Sequence, residues 1–174
     1  MSTVTVARPH QPTAEEHRDW TWGGATVIVV GCLAVAVISE AVAAGPLRHW
    51  YPVLQKPAWA APGWLFGPAW GVVYTAMAAA GAVVWLDRDR DEVCCPLAAF
   101  AVQLAAGLAW AALFFGLGHT LLGFIDGLVM WVTLGLAVVQ FFGVSRPAGW
   151  LLVPCWGWVT YTLAMNAAIV FMWA

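Results

Sequence analysis

The sequence predicts an all-α integral membrane protein, a bundle of five transmembrane helices. Of its 174 residues 63% are hydrophobic and only 9% are charged, whereas a soluble domain carries about 25% charged residues. Five apolar segments reach the length of roughly 20 residues that a helix needs to cross a bilayer. The formal net charge of −2 gives no indication of nucleic-acid binding.

Proline and charged residues set the limits of the predicted helices. Because proline disfavours helix in the residue before it, Gly45-Pro46 is expected to end the first helix. The charged run at 87–92 is expected to follow the second, and Pro96 is acceptable in the first turn of the third. In order, the predicted helices cover about residues 24–44, 65–86, 96–117, 121–144 and 150–173.

Two of the predicted connections are very short, "GH" at 118–119 and "SRPAG" at 145–149. Helices joined in this way must be antiparallel neighbours, so residues 23–174 are predicted to form one compact membrane domain. Residues 1–22 contain charged residues and prolines without an apolar stretch. This tail is therefore predicted to be disordered and cytoplasmic, and not a secretory signal.

Lysine and arginine are distributed unevenly between the two predicted sides of the membrane. Arg48 and Lys56 lie on the side of the 45–63 loop. The side of the tail carries Arg8, Arg18, Arg88, Arg90 and Arg146. Since positive residues favour the cytoplasmic side, a cytoplasmic N-terminus and an outward 45–63 loop are predicted. A bacterial inner membrane is the expected location.

The cysteines and histidines predict no metal site, because their spacing matches no known ligand pattern. Cys32 and Cys155 lie within apolar segments, where a free cysteine behaves as a small hydrophobic residue. Cys94 and Cys95 are adjacent at the edge of a segment, and the four histidines lie in the tail and the loops.

Small residues recur at four-residue spacing on the second and third helices. They are Gly71, Thr75 and Ala79, and then Ala101, Ala105 and Ala109. Such stripes let helix backbones approach closely in lipid. Two interpretations remain open, contact within the bundle and a homodimer through the third helix.

Three helices carry aromatic and polar side chains at spacings that place them on one face. The stripes are Trp70, Tyr74 and Met77; Gln103, Gly107, Trp110 and Phe114; and Pro154, Trp158, Thr162 and Asn166. In lipid, polar side chains are expected to face protein or a cavity. Hydrogen bonding between helices would account for Gln103 or Asn166 alone. Three such stripes together favour a shared pocket for a planar, mostly hydrophobic ligand.

Two acidic residues, Glu40 and Asp126, lie within apolar segments near the outer side. An intramembrane carboxylate is a candidate functional group. The alternatives are that Glu40 reaches the interface and that Asp126 forms a hydrogen bond that fixes helix packing.

The stretch "KPAWAAPGWLFGPAWGVVY", residues 56–74, interleaves prolines with tryptophans at the outer mouth of the bundle. Prolines lower the backbone entropy of a loop, and tryptophans supply rigid aromatic surface. A stiff lid over an aromatic cavity is therefore predicted. An interfacial aromatic belt is the alternative, but a belt does not explain the interleaved prolines.

From about Trp50 to Trp173 the sequence resembles the TspO/translocator protein family, the tryptophan-rich sensory proteins that include the peripheral-type benzodiazepine receptor. The resemblance rests on "WYPVLQKPAWAAPGWLFGPAW", "QLAAGLAWAALFFG" and "LLVPCWGWVTYTLAMN", with Asp126 following in the fourth helix. Three positions depart from the family pattern. Gly107 stands where an asparagine is usual, Cys155 replaces a tyrosine, and Ala61 replaces a proline.

The resemblance implies five transmembrane helices, frequent homodimers and binding of porphyrins such as protoporphyrin IX. It implies a tetrapyrrole-binding sensor or carrier that requires no cofactor, with the porphyrin as ligand. The ligand-binding residues expected on this basis are Tyr51, Pro62, Trp64, Trp70, Tyr74, Gly107, Trp110, Leu113, Asp126, Trp158 and Thr162.

Two other functions are considered. The first, also implied by the resemblance, is light-dependent porphyrin degradation, with Trp70 and Trp158 as the candidate photochemical residues. The second is a small-solute transporter, which ranks last because the sequence shows neither an internal repeat nor an intramembrane lysine or arginine. No nucleophile–base pair or phosphate-binding glycine loop is visible, so no enzymatic activity in the dark is predicted.

Overall fold

The computed structural model describes residues 14–87 and 90–172. Five of its helices are long and apolar enough to cross a membrane, and the described residues contain no β-strand, so the predicted fold class is confirmed. The helices are α1 (Ala14–His49), α2 (Gly63–Asp87), α3 (Arg90–Trp110), α4 (Thr120–Val144) and α5 (Arg146–Met172); a π-helical segment, Ala111–Gly116, continues α3.

The first helix is longer than the sequence predicts at both ends. It begins at Ala14, so residues 14–22 of the predicted tail are helical, and residues 1–13 lie outside the described part. The prediction that Gly45-Pro46 ends α1 is wrong, because the helix continues to His49. Pro46 lacks an N–H, but its carbonyl accepts hydrogen bonds from the N–H groups of Trp50 and Tyr51 at 2.9 and 2.8 Å. The end of α1 is therefore hydrogen-bonded to the Pro46 carbonyl although Pro46 itself cannot donate.

The third and fifth helices also begin earlier than predicted. Helix α3 begins at Arg90, which places Pro96 beyond the first turn. The predicted five-residue connection between α4 and α5 is in fact Ser145 alone. Its N–H donates to Phe141 at 2.7 Å and its carbonyl accepts from Gly149 at 3.0 Å. Pro147 fits into the first turn of α5, where a missing N–H costs nothing.

The helices pack in a ring with the order α1, α2, α5, α4, α3, and the π-helical segment closes the ring against α1. The predicted short connection near 118–119 is confirmed, and Gly118 turns the chain there with a φ of +66°. Glycine is the usual residue for such a left-handed helix end. The α3–α4 and α4–α5 pairs are consequently antiparallel neighbours.

Glycines on α4 let the helices approach closely in the core. A Cβ atom at Gly123 would lie 3.0 Å from Phe114 Cβ, and one at Gly127 would lie 3.2 Å from Leu163 Cδ1.

The small-residue stripes predicted on α2 and α3 do not bring helices close together inside the bundle. Their exposed members are Gly71, Thr75, Ala79, Ala101 and Ala105. For these residues the interpretation as contacts within the bundle is wrong.

Candidate functional site

A cavity lies between α1, α2 and the end of α3, and we call it the aromatic cavity. Its empty volume, including the open mouth, is about 280 Å³. Three helices and the π-helical segment contribute side chains to its wall. The lining residues are Ser39, Glu40, Ala43, Phe66, Trp70, Tyr74, Gly107, Trp110, Ala111 and Phe115.

The indoles and the phenol of the cavity come from the predicted stripes on α2 and α3. Trp70 and Tyr74 lie one helical turn apart, with ring centroids separated by 5.7 Å. Across the cavity Trp110 faces Trp70 with a centroid distance of 5.6 Å and an interplanar angle of 41°. All three side chains are at least 93% buried, since their exposed fractions are 7%, 3% and 2%. The structure therefore brings two of the three predicted stripes together.

The contact of Tyr74 with α3 depends on Gly107. A Cβ atom at this position would lie 2.8 Å from the hydroxyl oxygen of Tyr74. The absence of a side chain lets the Tyr74 hydroxyl reach the α3 backbone. A larger residue would have to displace the phenol or extend into the cavity.

The π-helical segment determines which aromatic rings reach the cavity. Trp110 and Phe114 are stacked with an interplanar angle of 7°, and Phe115 contacts Trp110 edge-on at 5.5 Å. The wider π turn pairs residue i with i+5. Both Phe114 and Phe115 therefore lie on the same side of the helix as Trp110. With ordinary α-helical spacing, Phe115 would point away from the cavity.

The polar groups of the cavity are few. Ser39 and Glu40 lie beside the Tyr74 hydroxyl, although Ser39 Oγ forms no hydrogen bond of normal geometry. The Glu40 carboxylate lies against α2, because a Cβ atom at Gly67 would be 3.1 Å from its Oε2. Trp70 Nε1 is buried and has no hydrogen-bond partner among the described residues. Apolar walls with a few polar points are typical of small-molecule sites.

Tyr51, one of the expected ligand-binding residues, holds the 50–62 loop instead of lining the cavity. Its hydroxyl donates a hydrogen bond of 2.6 Å to the carbonyl of Ala61, and its ring packs edge-on against Phe66 at 5.3 Å. Burial raises the pKa of Tyr51 to about 12, with a smaller contribution from the nearby Tyr161. The phenol therefore remains a neutral donor throughout the physiological pH range.

Lys56 and Tyr161 tie the same loop to itself and to α5. Lys56 Nζ donates to the carbonyls of Tyr51, Pro52 and Leu54 at 2.9, 3.2 and 3.3 Å. The Tyr161 hydroxyl donates to the Trp59 carbonyl at 3.1 Å. These contacts connect the loop to its own backbone and to α5.

The remaining expected site residues lie outside the cavity wall. Pro62 and Trp64 are exposed, Trp64 by 73%. Leu113 is half-buried. Trp158 contacts Phe66 from behind the cavity wall, with ring centroids 6.3 Å apart. Thr162 donates a hydrogen bond to the Val159 carbonyl of its own helix.

The intramembrane polar residues outside the cavity differ in their partners. Gln103 accepts a hydrogen bond of 2.7 Å from Thr133 of α4, as expected for hydrogen bonding between helices. Asn166 is fully buried, and neither atom of its amide has a partner among the described residues. Asp126 Oδ2 is likewise buried without a partner there. The described residues contain no group of three His, Cys, Asp or Glu side chains that could hold a metal ion.

Several lining residues were not assigned to the site from the sequence. Phe66 could have been included, because it extends the Trp70–Tyr74 stripe by one turn. Ser39 and Ala43 lie at i and i+4 on α1 beside Glu40, a weak pattern in an apolar helix. No sequence signal identified Phe115, because its position depends on the π turn.

Comparisons with known proteins agree with this architecture. The sequence model of the TspO/MBR family matches residues 27–172. The Tryptophan-rich protein TspO of Chlorobaculum tepidum is 36% identical over 80% of this chain and 89% of its own length. The human Translocator protein is 34% identical over 70% and 73%, and the Tryptophan-rich sensory protein of Cereibacter sphaeroides is 34% identical over 68% and 73%. The chain therefore belongs to the TspO/MBR family.

Proposed function

We propose that the protein is a membrane sensor or carrier that binds porphyrins of the protoporphyrin IX type in the aromatic cavity. The observation that carries this proposal is the convergence of five aromatic side chains on one membrane-embedded space, namely Phe66, Trp70, Tyr74, Trp110 and Phe115. Flat apolar walls with few polar groups suit a planar hydrophobic ligand.

The size of the cavity defines how such a ligand enters. Of its volume of about 280 Å³, which includes the open mouth, only about 20 Å³ can hold a water-sized molecule, far below the range of about 300–1,000 Å³ for sites of drug-sized ligands. A tetrapyrrole therefore requires Trp70 and Trp110 to separate, and the macrocycle replaces the contact between the two indoles. The relatives' names support a sensing or carrying role, since one is called a sensory protein and another a translocator protein.

The test is a protoporphyrin IX titration of the purified protein in detergent and in the dark, followed by quenching of tryptophan fluorescence. Saturable quenching is expected, with affinity about fivefold to tenfold lower in Trp110→Leu, because a ring that stacks on the ligand is lost. Trp150→Leu is the matched control, since Trp150 is 66% exposed and does not line the cavity. Non-saturable quenching in the wild type would contradict the proposal.

Light-dependent porphyrin degradation is the second candidate, and the position of Trp70 favours it. Its indole lines the cavity and Nε1 has no partner among the described residues. Trp158, behind Phe66, is one ring further away. Porphyrin absorbance should then fall under light in air, and Trp70→Phe should slow the loss more than Trp158→Phe. A rate equal to that of porphyrin in empty detergent would exclude this activity.

The assembly and the orientation are further parts of the proposal. We place the protein in a bacterial inner membrane with a cytoplasmic N-terminus, as a homodimer through α3. Support for the dimer comes from the exposed Ala101, Val102 and Ala105 on that helix, since small residues allow close helix contact. Ala105→Trp should convert a dimer into a monomer in light scattering of the detergent-solubilised protein. A particle mass that is the same for Ala105→Trp and the wild type would contradict this interface.

A further inference from the structure

Glu40 provides the only carboxylate among the described residues that line the aromatic cavity. Its position depends on Gly67 of α2. A Cβ atom there would lie 3.1 Å from Oε2 and 3.9 Å from Oε1. Both oxygens therefore lie in the space left by a missing side chain, at the contact of α1 with α2.

The cavity offers this carboxylate no cationic partner. Among the described lining residues there is no lysine, arginine or histidine. Lys56, the cation of the adjoining loop, already donates to three backbone carbonyls. The polar neighbours of Glu40 are the hydroxyls of Ser39 and Tyr74. Glu40 is half-buried, so a ligand that covers it removes the carboxylate from water. This removal is costly unless the ligand supplies a partner, which favours ligands that do.

We propose that Glu40 makes the aromatic cavity selective for planar ligands that present a hydrogen-bond donor or a positive charge to α1. Hydrogen bonds to a carboxylate are roughly twice as strong as those between neutral groups. An ionised carboxylate on the ligand is repelled from the same wall, so it points away from α1. This inference rests on the proposed function, because it requires that the cavity binds a planar ligand.

Trp70 adds a second polar point of opposite character. Its Nε1–H is a donor that is buried without a partner among the described residues, whereas the Glu40 oxygens are acceptors. The cavity therefore recognises a ligand with a donor on one edge and an acceptor on another. In a metal-free tetrapyrrole, the inner N–H groups point into the centre of the macrocycle. The peripheral carboxylates are the polar groups at its edge, and they are acceptors for the Trp70 Nε1–H. Such a ligand would turn its acidic edge away from Glu40.

Three planar tricyclic probes of similar size test the selectivity directly. They are 9-aminoacridine as the cation, 9-methylanthracene as the neutral probe and anthracene-9-carboxylate as the anion. Each is titrated into the purified protein in a non-ionic detergent at pH 7, with empty micelles as the blank. The wild type is expected to bind the cation at least tenfold more tightly than the anion, with the neutral probe between them.

The decisive variant is Glu40→Gln, which keeps the size of the side chain and removes its charge. It should reduce the preference for the cation over the anion by about tenfold and leave the affinity for the neutral probe within twofold. The matched control is Asp87→Asn on the exposed end of α2, about 30 Å from Gly67 along that helix. It should keep the wild-type preference.

Two results would overturn the inference and leave the proposed function standing. One is a wild type that saturates with protoporphyrin IX but prefers the anionic probe. The other is a Glu40→Gln protein with the wild-type preference. The wild-type measurement decides even where Glu40→Gln does not fold, as judged by circular dichroism and gel filtration. Failure of protoporphyrin IX and all three probes to saturate would instead remove the proposed function, and the inference with it.

Discussion

Tyr51 shows how one side chain can determine the shape of a site that it does not line. It was expected to contact the ligand, but its hydroxyl is committed to the Ala61 carbonyl and its ring to Phe66, which does line the cavity. A motif identifies such a residue without revealing whether it touches the ligand or supports a residue that does. Of the expected site residues, Trp70, Tyr74, Gly107 and Trp110 lie in the cavity wall, and the sequence could not distinguish them from Tyr51, which supports the wall from behind.

Replacing Tyr51 with phenylalanine should loosen the 50–62 loop. The substitution leaves the Ala61 carbonyl without its donor, and an unsatisfied buried acceptor costs about 1–3 kcal/mol. We expect a lower midpoint of thermal unfolding in detergent and faster proteolysis within the loop. Tyr161→Phe is the comparison, since it removes a hydrogen bond at the more exposed Trp59. Equal midpoints for Tyr51→Phe and the wild type would show that the loop does not depend on this bond.

The same phenol predicts a dependence of stability on alkaline pH. Burial raises the pKa of Tyr51 to about 12 from the usual value of 10.0. A raised pKa in the folded state means that its stabilising effect is complete below pH 10 and is lost as the pH rises towards 12. The wild type should therefore lose more thermal stability over this interval than Tyr51→Phe. Parallel curves for the two proteins would refute the assignment.

At the scale of elements, the π-helical segment is what the hydrophobic pattern could not predict. The apolar run from Pro96 to Leu117 has the length of one transmembrane helix, and both α- and π-helical turns satisfy that requirement. The change of period begins at Ala111 and moves Phe115 into the cavity wall. The predicted end of α1 at Gly45-Pro46 also depended on local hydrogen bonding that the hydrophobic pattern does not reveal. Pro46 donates no hydrogen bond, but the helix continues past it to His49.

Deleting Ala112 should convert the π turn into an α-helical one. The wider π turn accommodates one more residue than an α-helical turn, so the deletion moves Phe115 into the i+4 position after Trp110. Phe114 holds that position now and does not line the cavity, so the Phe115 ring should leave the cavity wall. We expect protoporphyrin IX affinity to fall about tenfold while the far-ultraviolet circular dichroism stays helical. Deletion of Gly143, on the exposed end of α4, is the control for shortening a helix. Unchanged affinity in the Ala112 deletion would mean that the π turn does not shape the site.

For the whole molecule, composition and loop lengths were sufficient to predict the five-helix bundle and its antiparallel pairs. They could not predict the order of the helices in the ring, which places α1 and α2 beside the end of α3. That order leaves Trp158 of α5 behind Phe66 and Thr162 outside the cavity wall. The third predicted stripe, on α5, was expected to line the cavity, but this order of the helices keeps it out of the cavity wall. Helix order depends on the sum of many side-chain contacts, and no single segment carries that information.

The most direct test of the aromatic cavity as the ligand site is a dark protoporphyrin IX titration of Gly107→Leu. A side chain at Gly107, which lines the cavity, meets the Tyr74 hydroxyl and takes up space that the ligand would occupy. We expect at least a tenfold loss of affinity, with wild-type affinity in Gly157→Leu, whose added Cβ atom would meet nothing within 4 Å. Wild-type affinity in Gly107→Leu would show that the porphyrin binds elsewhere, and the assignment of the cavity would be wrong.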